Sequence, residues 1–168
     1  ATDGDTVFVY DDSSPYYENL IVDKSINVIG EDKDSTVING SKLDSSLNTV
    51  NITANNVYIH GFSINDNSGY YYQAAIMIVG DYNSVSNCKI QNNNWVGISL
   101  LGSSYSQISD CELYNNLIAI YLIDSNENEI RDCLCHENSD DILLFQNSHG
   151  NQIINCTCIG NGFSGIHI

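Results

Sequence analysis

The stretch DCELYNNLIAIYLIDSNENEIRDCLCHENSDDILL, residues 110–144, contains one pattern twice. Each copy begins with a cysteine, has an asparagine five residues after it, and then carries apolar residues at alternate positions. Working outward, the pattern recurs around Cys88 and Cys156, so that the anchoring cysteines are separated by 23, 22 and 23 residues. A repeat of this length indicates a solenoid, in which each copy stacks on the next one.

The apolar residues of each copy alternate with polar ones, which is the period of a β-strand, and clusters of Asn, Ser, Gly and Asp separate the strands. Such a unit cannot bury its apolar side chains alone, so equivalent residues of successive copies should stack in columns. An earlier copy fits the alignment if residues 69–73 are an insertion. The expected interior columns are Ile59, Val85, Ile108, Ile130 and Ile153; Ile64, Ile90, Leu113, Cys135 and Cys158; Ile76, Ile98, Ile120, Ile142 and Ile166; and Ile78, Leu100, Leu122, Leu144 and Ile168.

One further column consists of asparagines. Stacked Asn side chains can hydrogen-bond along a ladder, and Asn tolerates the left-handed backbone that a corner of a solenoid requires. We therefore predict a structural role at a corner for Asn93, Asn116, Asn138 and Asn161, and Asn67 has the same position in the earlier copy.

The first third of the chain has strands expected at 7–10, 19–22, 26–29 and 36–38, separated by irregular loops. Its pieces GDTVFVY (4–10), YYENLIVDKSINVIGE (16–31) and STVING (35–40) resemble the opening turns of the right-handed parallel β-helix family. The later repeats resemble the NosD-type and pectin-lyase-like repeats of archaeal and bacterial cell-surface proteins. The resemblance implies an all-β, right-handed single-stranded parallel β-helix with 22–23 residues per turn. We expect a single domain over 1–168, with irregular opening turns at 1–53 and regular repeats at 54–168.

The six cysteines have two possible roles. Neighbouring strands lie about 4.8 Å apart, a separation that a disulfide accepts, so Cys88–Cys111, Cys133–Cys156 and Cys135–Cys158 are candidate disulfides. The alternative is an interior ladder of free thiols that pack as small apolar groups. A zinc site is not expected, because the sulfurs of Cys133 and Cys135 would lie about 6–7 Å apart on one strand.

The acidic and histidine side chains do not form an expected catalytic set. Asp140-Asp141 and Ser148-His149-Gly150 resemble two motifs of polygalacturonase-like β-helix hydrolases, but the family's preceding Asn-Thr-Asp and its Arg-Ile-Lys motif have no counterpart. Asp141 instead falls in the column of Gly97, Ala119 and Gly165. We expect His136 to face outward without a partner and Arg131 to pair with neighbouring charges on the solvated surface. We expect no catalytic residue, no cofactor and no dedicated metal site. Weak surface calcium binding is conceivable at Asp3, Asp5, Asp11, Asp12, Asp32 and Asp34.

The net charge of -16 argues against nucleic acid and anionic lipid as partners. No run of 18 apolar residues occurs, so membrane insertion is not expected. The sequence begins with Ala1, which a removed signal peptide or a trimmed chain would explain. Sequons at Asn39, Asn51 and Asn155 are candidate glycosylation sites and favour an extracellular or cell-surface location.

Two functions are compatible with these patterns. The chain reaches Ile168 with no capping segment, which favours a non-catalytic structural protein of an envelope, sheath or surface layer that self-associates into a polymer. The alternative is a carbohydrate-binding or carbohydrate-processing domain of a larger extracellular protein. The candidate contact residues, for a protein interface or a glycan, are Tyr70, Tyr71 and Tyr72.

Overall fold

The computed structural model describes residues 1–42, 44, 46–67 and 73–168, and all regular secondary structure in these ranges is β-strand. Twenty short strands wind into a parallel solenoid of about seven turns, and each full turn contributes one strand to each of three sheets. The predicted all-β parallel solenoid is therefore confirmed.

Sheet A contains β1 (Thr6–Val9), β3 (Asn27–Gly30), β6 (Tyr58–His60), β9 (Ser84–Ser86), β12 (Gln107–Ser109), β15 (Glu129–Arg131) and β18 (Gln152–Ile154). Sheet B contains β4 (Val37–Asn39), β7 (Ser63–Asn65), β10 (Lys89–Gln91), β13 (Glu112–Tyr114), β16 (Leu134–His136) and β19 (Thr157–Ile159). Sheet C contains β2 (Leu20–Val22), β5 (Val50–Ile52), β8 (Ala74–Ile78), β11 (Val96–Leu101), β14 (Ile118–Ile123), β17 (Asp140–Phe145) and β20 (Ser164–His167). The four strands predicted in the first third are all present, each within one residue of its expected start and end.

The interior is built from the predicted columns. Ile90 pairs with Leu113, which pairs with Cys135 and then Cys158 in sheet B, and the isoleucine columns of sheets A and C run in the same way. These side chains form one continuous buried cluster from Val22 to Ile142. Because each fully buried Ile or Leu stabilises the fold by roughly 1.5–3 kcal/mol, the repeat itself is the source of stability.

The asparagine column lies at the corner between sheets B and C. The backbone N–H of Asn116 donates to Oδ1 of Asn138 at 2.9 Å, and that of Asn93 donates to Oδ1 of Asn116 at 3.3 Å. The predicted ladder is thus confirmed, but the predicted backbone conformation is wrong by one residue. The residue in front of each of these asparagines has the positive φ, namely Asp66, Asn92, Asn115, Glu137 and Gly160.

A second polar ladder, which was not predicted from the sequence, lies at the corner before sheet A. Asn83 accepts from the backbone N–H of Val57 at 2.8 Å, and Asn128 accepts from that of Ser106 at 2.8 Å. Because both ladders satisfy buried backbone groups, the interior holds the three sheets in a fixed arrangement and leaves their outer faces free to differ.

Candidate functional site

The outer face of sheet A carries polar side chains on four successive strands. The two outward positions of each strand flank one interior apolar residue, and they are occupied by Tyr58 and His60, Ser84 and Ser86, Gln107 and Ser109, and Glu129 and Arg131. Small serines in the middle lie between larger side chains at both ends. The result is a depression of about 450 Å³, which we call the sheet A groove, lined by Tyr58, His60, Ser84, Ser86, Asn87, Gln107, Ser109, Asp110 and Arg131.

One end of the groove is a compact cluster of three side chains. Nδ1 of His60 lies 2.9 Å from the Tyr58 hydroxyl and 2.9 Å from the Ser86 hydroxyl, and Ser86 Oγ donates to Tyr58 Oη at 3.0 Å. The Tyr58 and His60 rings also stack, with centroids 5.5 Å apart. These contacts hold the imidazole in one orientation at the groove wall.

The other end is formed by the only arginine of the chain. Arg131 Nε lies 3.0 Å from Glu129 Oε1, and its Nη1 donates to Asp132 Oδ2 at 3.1 Å. Gln107 Nε2 donates to the same Glu129 oxygen at 2.7 Å. The predicted charge pairing of Arg131 is confirmed, and it fixes the guanidinium beside the groove as a set of hydrogen-bond donors.

Two exposed tyrosines lie close in sequence to residues of the groove. Tyr82 and Tyr105 precede the groove residues Ser84 and Gln107 by two positions, and their rings stack with centroids 5.1 Å apart and planes 9° apart. Tyr82 is 56% exposed and Tyr105 is 55% exposed. Flat, half-polar rings beside a row of hydroxyl and amide groups can contact a polyhydroxylated ligand through both apolar and polar atoms.

The outer face of sheet B has the same strand geometry, but its side chains contact one another from turn to turn between Lys89 and His136. Lys89 contacts Asp34 and lies 3.9 Å from Glu112, while His136 lies 3.3 Å from Glu112 and stacks on Tyr114 at 4.9 Å. The ion pair with Lys89 lowers the pKa of Asp34. His136 faces outward as predicted, but the expectation that it lacks a partner is wrong, because Glu112 and Tyr114 lie on the preceding turn.

The outer face of sheet C is apolar. Leu101, Ile123 and Phe145 form an outward column, and the Tyr121 and Phe145 rings lie 6.3 Å apart. A cavity of about 160 Å³ opens on this face, lined by Met77, Val96, Ser99, Leu101, Tyr121 and Ile123. The three faces of the solenoid therefore have three different chemistries on one backbone.

All six cysteines are free thiols, so none of the three predicted disulfides is formed in the structure. The predicted columns are nevertheless correct: Cys135 pairs in register with Cys158, and the other four stack on successive turns. Each of those four thiols lies close to the carbonyl oxygen two residues before it, for example Cys111 Sγ at 3.1 Å from Ser109 O.

The acidic pair 140–141 is divided between the two sides of sheet C. Asp141 is buried in the column of Gly97, Ala119 and Gly165, as predicted, and Asn138 Nδ2 donates to it at 2.8 Å. Burial raises the pKa of Asp141. Asp140 lies on the outer side and accepts a hydrogen bond from Ser164, so the two carboxyls do not face one common site.

The remaining predicted residues are scattered over the surface. Asn155 is exposed, and its Nδ2 donates to Asp132 at 2.6 Å, whereas Asn39 and Asn51 are half-buried in strands. Tyr70, Tyr71 and Tyr72 lie outside the described residues. Within the described ranges, no three His, Cys, Asp or Glu side chains come together in a way that could hold a metal ion.

The groove was not predicted from the sequence, although its signal is visible there. It lies in the tripeptides YIH (58–60), SVS (84–86), QIS (107–109) and EIR (129–131), in which a polar residue stands on each side of an interior apolar one. The described part of the chain includes no helix of the length and apolarity needed to cross a membrane.

Comparison with known families matches residues 71–168, more than half of the chain, to the family described as right handed beta helix region. Curated proteins and solved structures gave no match.

Proposed function

Because this chain belongs to the right-handed β-helix family, we propose that it is a non-catalytic carbohydrate-binding domain, with the ligand in the sheet A groove. The proposal rests on one observation, the polar depression between Tyr58–His60 and Arg131. Four strands spaced by about 4.8 Å make it about 15 Å long, which suits a short stretch of a glycan chain. The acidic surface favours a neutral glycan over a polyanionic one.

Binding without cleavage is the simpler role for this groove. Membership of the family does not decide the matter, since β-helix domains occur in enzymes and in other proteins. The carboxylate of Glu129 is held by Arg131 and Gln107, and Asp110 stands at the groove edge on the following corner. Hydrolysis by paired carboxylates needs one of them to protonate a leaving group, and a carboxylate that already accepts from a guanidinium is poorly suited to that.

The test is to fill the groove. Soluble β-glucan, mannan and xylan, with polygalacturonate as a charged comparison, are run in native affinity gels, and the affinity for a bound polymer is measured by calorimetry. We expect Ser84→Trp to weaken binding at least tenfold, because the indole occupies the depression. Ile159→Trp, at an exposed outward position of sheet B, is the matched control and should bind like the parent.

Two results would contradict the proposal: no retardation by any neutral polymer, or an unchanged affinity in Ser84→Trp. Release of reducing ends from a bound polymer would retain the ligand class but replace binding with catalysis. The extracellular location is part of the same proposal, and it is supported by the three sequons, of which Asn155 is exposed.

The apolar outer face of sheet C favours a second candidate, self-association into a structural assembly. Leu101 is 43% exposed and Phe145 is 48% exposed on a face that repeats its side chains from strand to strand. A second copy presents the same ridges at the same spacing of about 4.8 Å, so two such faces can interdigitate.

Light scattering over a concentration series tests this candidate. We expect the parent to associate and Phe145→Asp to remain monomeric, while Ile159→Asp, an exposed residue on sheet B, should associate like the parent. A parent that is monomeric at the highest concentration would exclude the assembly through this face.

A further inference from the structure

Four of the six cysteines form a single interior column, which we call the cysteine column: Cys88, Cys111, Cys133 and Cys156. On each turn, the backbone N–H of the residue after the cysteine donates to the cysteine carbonyl of the turn before at 2.9 Å. The four cysteine side chains thus occupy equivalent positions on four successive turns. Every thiol except the first and the last therefore has a sulfur on both sides.

The geometry of the column suits thiol–disulfide exchange. Adjacent turns are about 4.8 Å apart, within the range of about 4.4–6.8 Å between Cα atoms that a disulfide accepts. In the exchange reaction a thiolate attacks one sulfur of a disulfide and displaces the other, and the three sulfurs lie along one line. A column that runs along the solenoid axis brings successive sulfurs close to such a line.

Access to the column is restricted to one position. Cys88, Cys111 and Cys133 are buried, with at most 2% of each residue exposed, whereas Cys156 is only half-buried. A small disulfide in solution therefore meets Cys156 first. Cys135 and Cys158 form a separate pair with the same strand spacing, and Cys158 is also half-buried, so this pair serves as an internal reference.

We propose that the cysteine column is a track along which a disulfide, formed at Cys156 by exchange with a low-molecular-weight disulfide, is passed inward to Cys88–Cys111. This inference does not depend on the proposed function, since it concerns the interior and not the groove.

The steps balance in atoms and electrons. Cys156 attacks a small disulfide and releases one small thiol; Cys133 then attacks Cys156 and releases the second, so that two protein thiols are oxidised and one small disulfide is reduced. Cys111 next attacks Cys133 and expels Cys156, which takes up a proton as Cys111 loses one to water. Cys88 attacks Cys111 in the same way and expels Cys133. A second small disulfide can then oxidise Cys133 and Cys156.

The entry step at Cys156 and the inward step through Cys111 should both be slow at neutral pH, because the pKa of each thiol is raised. Hydrogen bonds with Cys133 and Cys88, together with burial, raise the pKa of Cys111, and only the thiolate attacks. The inward transfer should therefore become faster as the pH is raised, and it should lag behind the formation of Cys135–Cys158.

The experiment follows the disulfides of the folded 168-residue chain over time. Glutathione disulfide is added, samples are quenched with acid and alkylated, and disulfides are mapped by mass spectrometry. In the parent we expect Cys133–Cys156 first and Cys88–Cys111 later. In Cys156→Ser, and equally in Cys133→Ser, the formation of Cys88–Cys111 should slow at least tenfold, because the entry or the track is interrupted.

Cys135–Cys158 controls for folding, since it should form at the parent rate in both variants if the solenoid is intact. Circular dichroism of each variant gives a second check on folding. The proposal is overturned if Cys88–Cys111 forms at the parent rate in either variant, which would mean that the oxidant enters through opening of the fold. It is also overturned if the folded parent never forms Cys88–Cys111.

Discussion

The outer faces of sheets A and B lie on the same turns and share one interior, yet the polar groove lies on sheet A. On sheet B, Lys89, Glu112, Tyr114 and His136 contact one another from turn to turn and fill the surface. On sheet A, three of the four equivalent central positions hold serines and the fourth holds Gln107, which donates to Glu129, so a depression is left between the large side chains at either end. The groove is a consequence of side-chain size and not of any change in the backbone.

The comparison separates two kinds of residue in each turn. Interior residues determine the path of the chain, and they must match from copy to copy because they stack on one another. Outward residues need only remain compatible with a strand, so each face can acquire its own chemistry. A change to the interior should therefore affect both faces, and a change to one face should leave the other intact.

The largest effect is expected from an interior substitution, because a change in the interior should affect both outer faces. Oδ1 of Asn116 accepts a hydrogen bond from the backbone N–H of Asn93. Its Nδ2 donates to Asn138 Oδ1 at 3.1 Å and to the Ile90 carbonyl at 3.2 Å. Asn116→Ala leaves several of these buried groups unpaired, at about 1–3 kcal/mol each. We expect a loss of about 3 kcal/mol in the free energy of unfolding, measured with urea.

Asn94→Ala, an exposed asparagine one residue beyond the ladder, is the control and should lie within about 0.5 kcal/mol of the parent. A similarly small loss in Asn116→Ala would show that the ladder does not stabilise the interior.

Two surface substitutions, one on each face, are expected to have effects of intermediate size. Arg131→Ala on sheet A and His136→Ala on sheet B each remove a partly exposed side-chain contact with a glutamate, so each should cost about 0.5 kcal/mol of stability. Glycan affinity should separate them, with about a tenfold loss in Arg131→Ala and no change in His136→Ala. Calorimetry measures the glycan affinity of both variants. Equal affinities would show that Arg131 does not contribute to glycan binding.

The smallest effect concerns Asp141 and should spare both outer faces. Burial raises its pKa in the folded state, so its contribution to stability is complete below the unfolded pKa of about 3.9 and is lost as the pH rises through the folded pKa. Asp141→Asn cannot ionise. Relative to the parent, its free energy of unfolding should therefore be higher at pH 7 than at pH 3.5.

Urea unfolding of the parent and the variant at the two pH values measures this difference. Asp140→Asn, on the outer side of the same strand, controls for the loss of one negative charge. If the difference between Asp141→Asn and the parent is the same at both pH values, Asp141 is not the source of the pH dependence.

The interior was predictable because its residues repeat. Ile90, Leu113 and Cys135 differ chemically, but their constant spacing from the anchoring cysteine is enough to assign them to one column. The left-handed corner was placed one residue too late, since doublets such as Asn92-Asn93 offer two asparagines and composition does not say which one turns the chain.

The groove was harder to predict, because it depends on small side chains that lie between larger ones. Ser84, Ser86 and Ser109 carry no motif, and their significance comes only from the larger neighbours Tyr58 and Arg131 on other turns. The partner of His136 was missed for a related reason: Glu112 is 24 residues away in sequence and one turn away in space. Contacts between outward residues follow from register, and register must be known before they can be found.

The hydrogen bonds from one asparagine of the ladder to the next all run in one direction. Asn67 donates to Asn93, Asn93 to Asn116, Asn116 to Asn138 and Asn138 to Asn161, always from an earlier turn to a later one. The asparagine of a turn inserted between two others would accept a hydrogen bond from the asparagine before it and donate one to the asparagine after it. No hydrogen bond of the ladder would then be lost. Duplicating residues 110–131 should thus lengthen the rod by about 4.8 Å. A protein of this construction can change the reach of its surface by gene duplication alone, without redesigning its core.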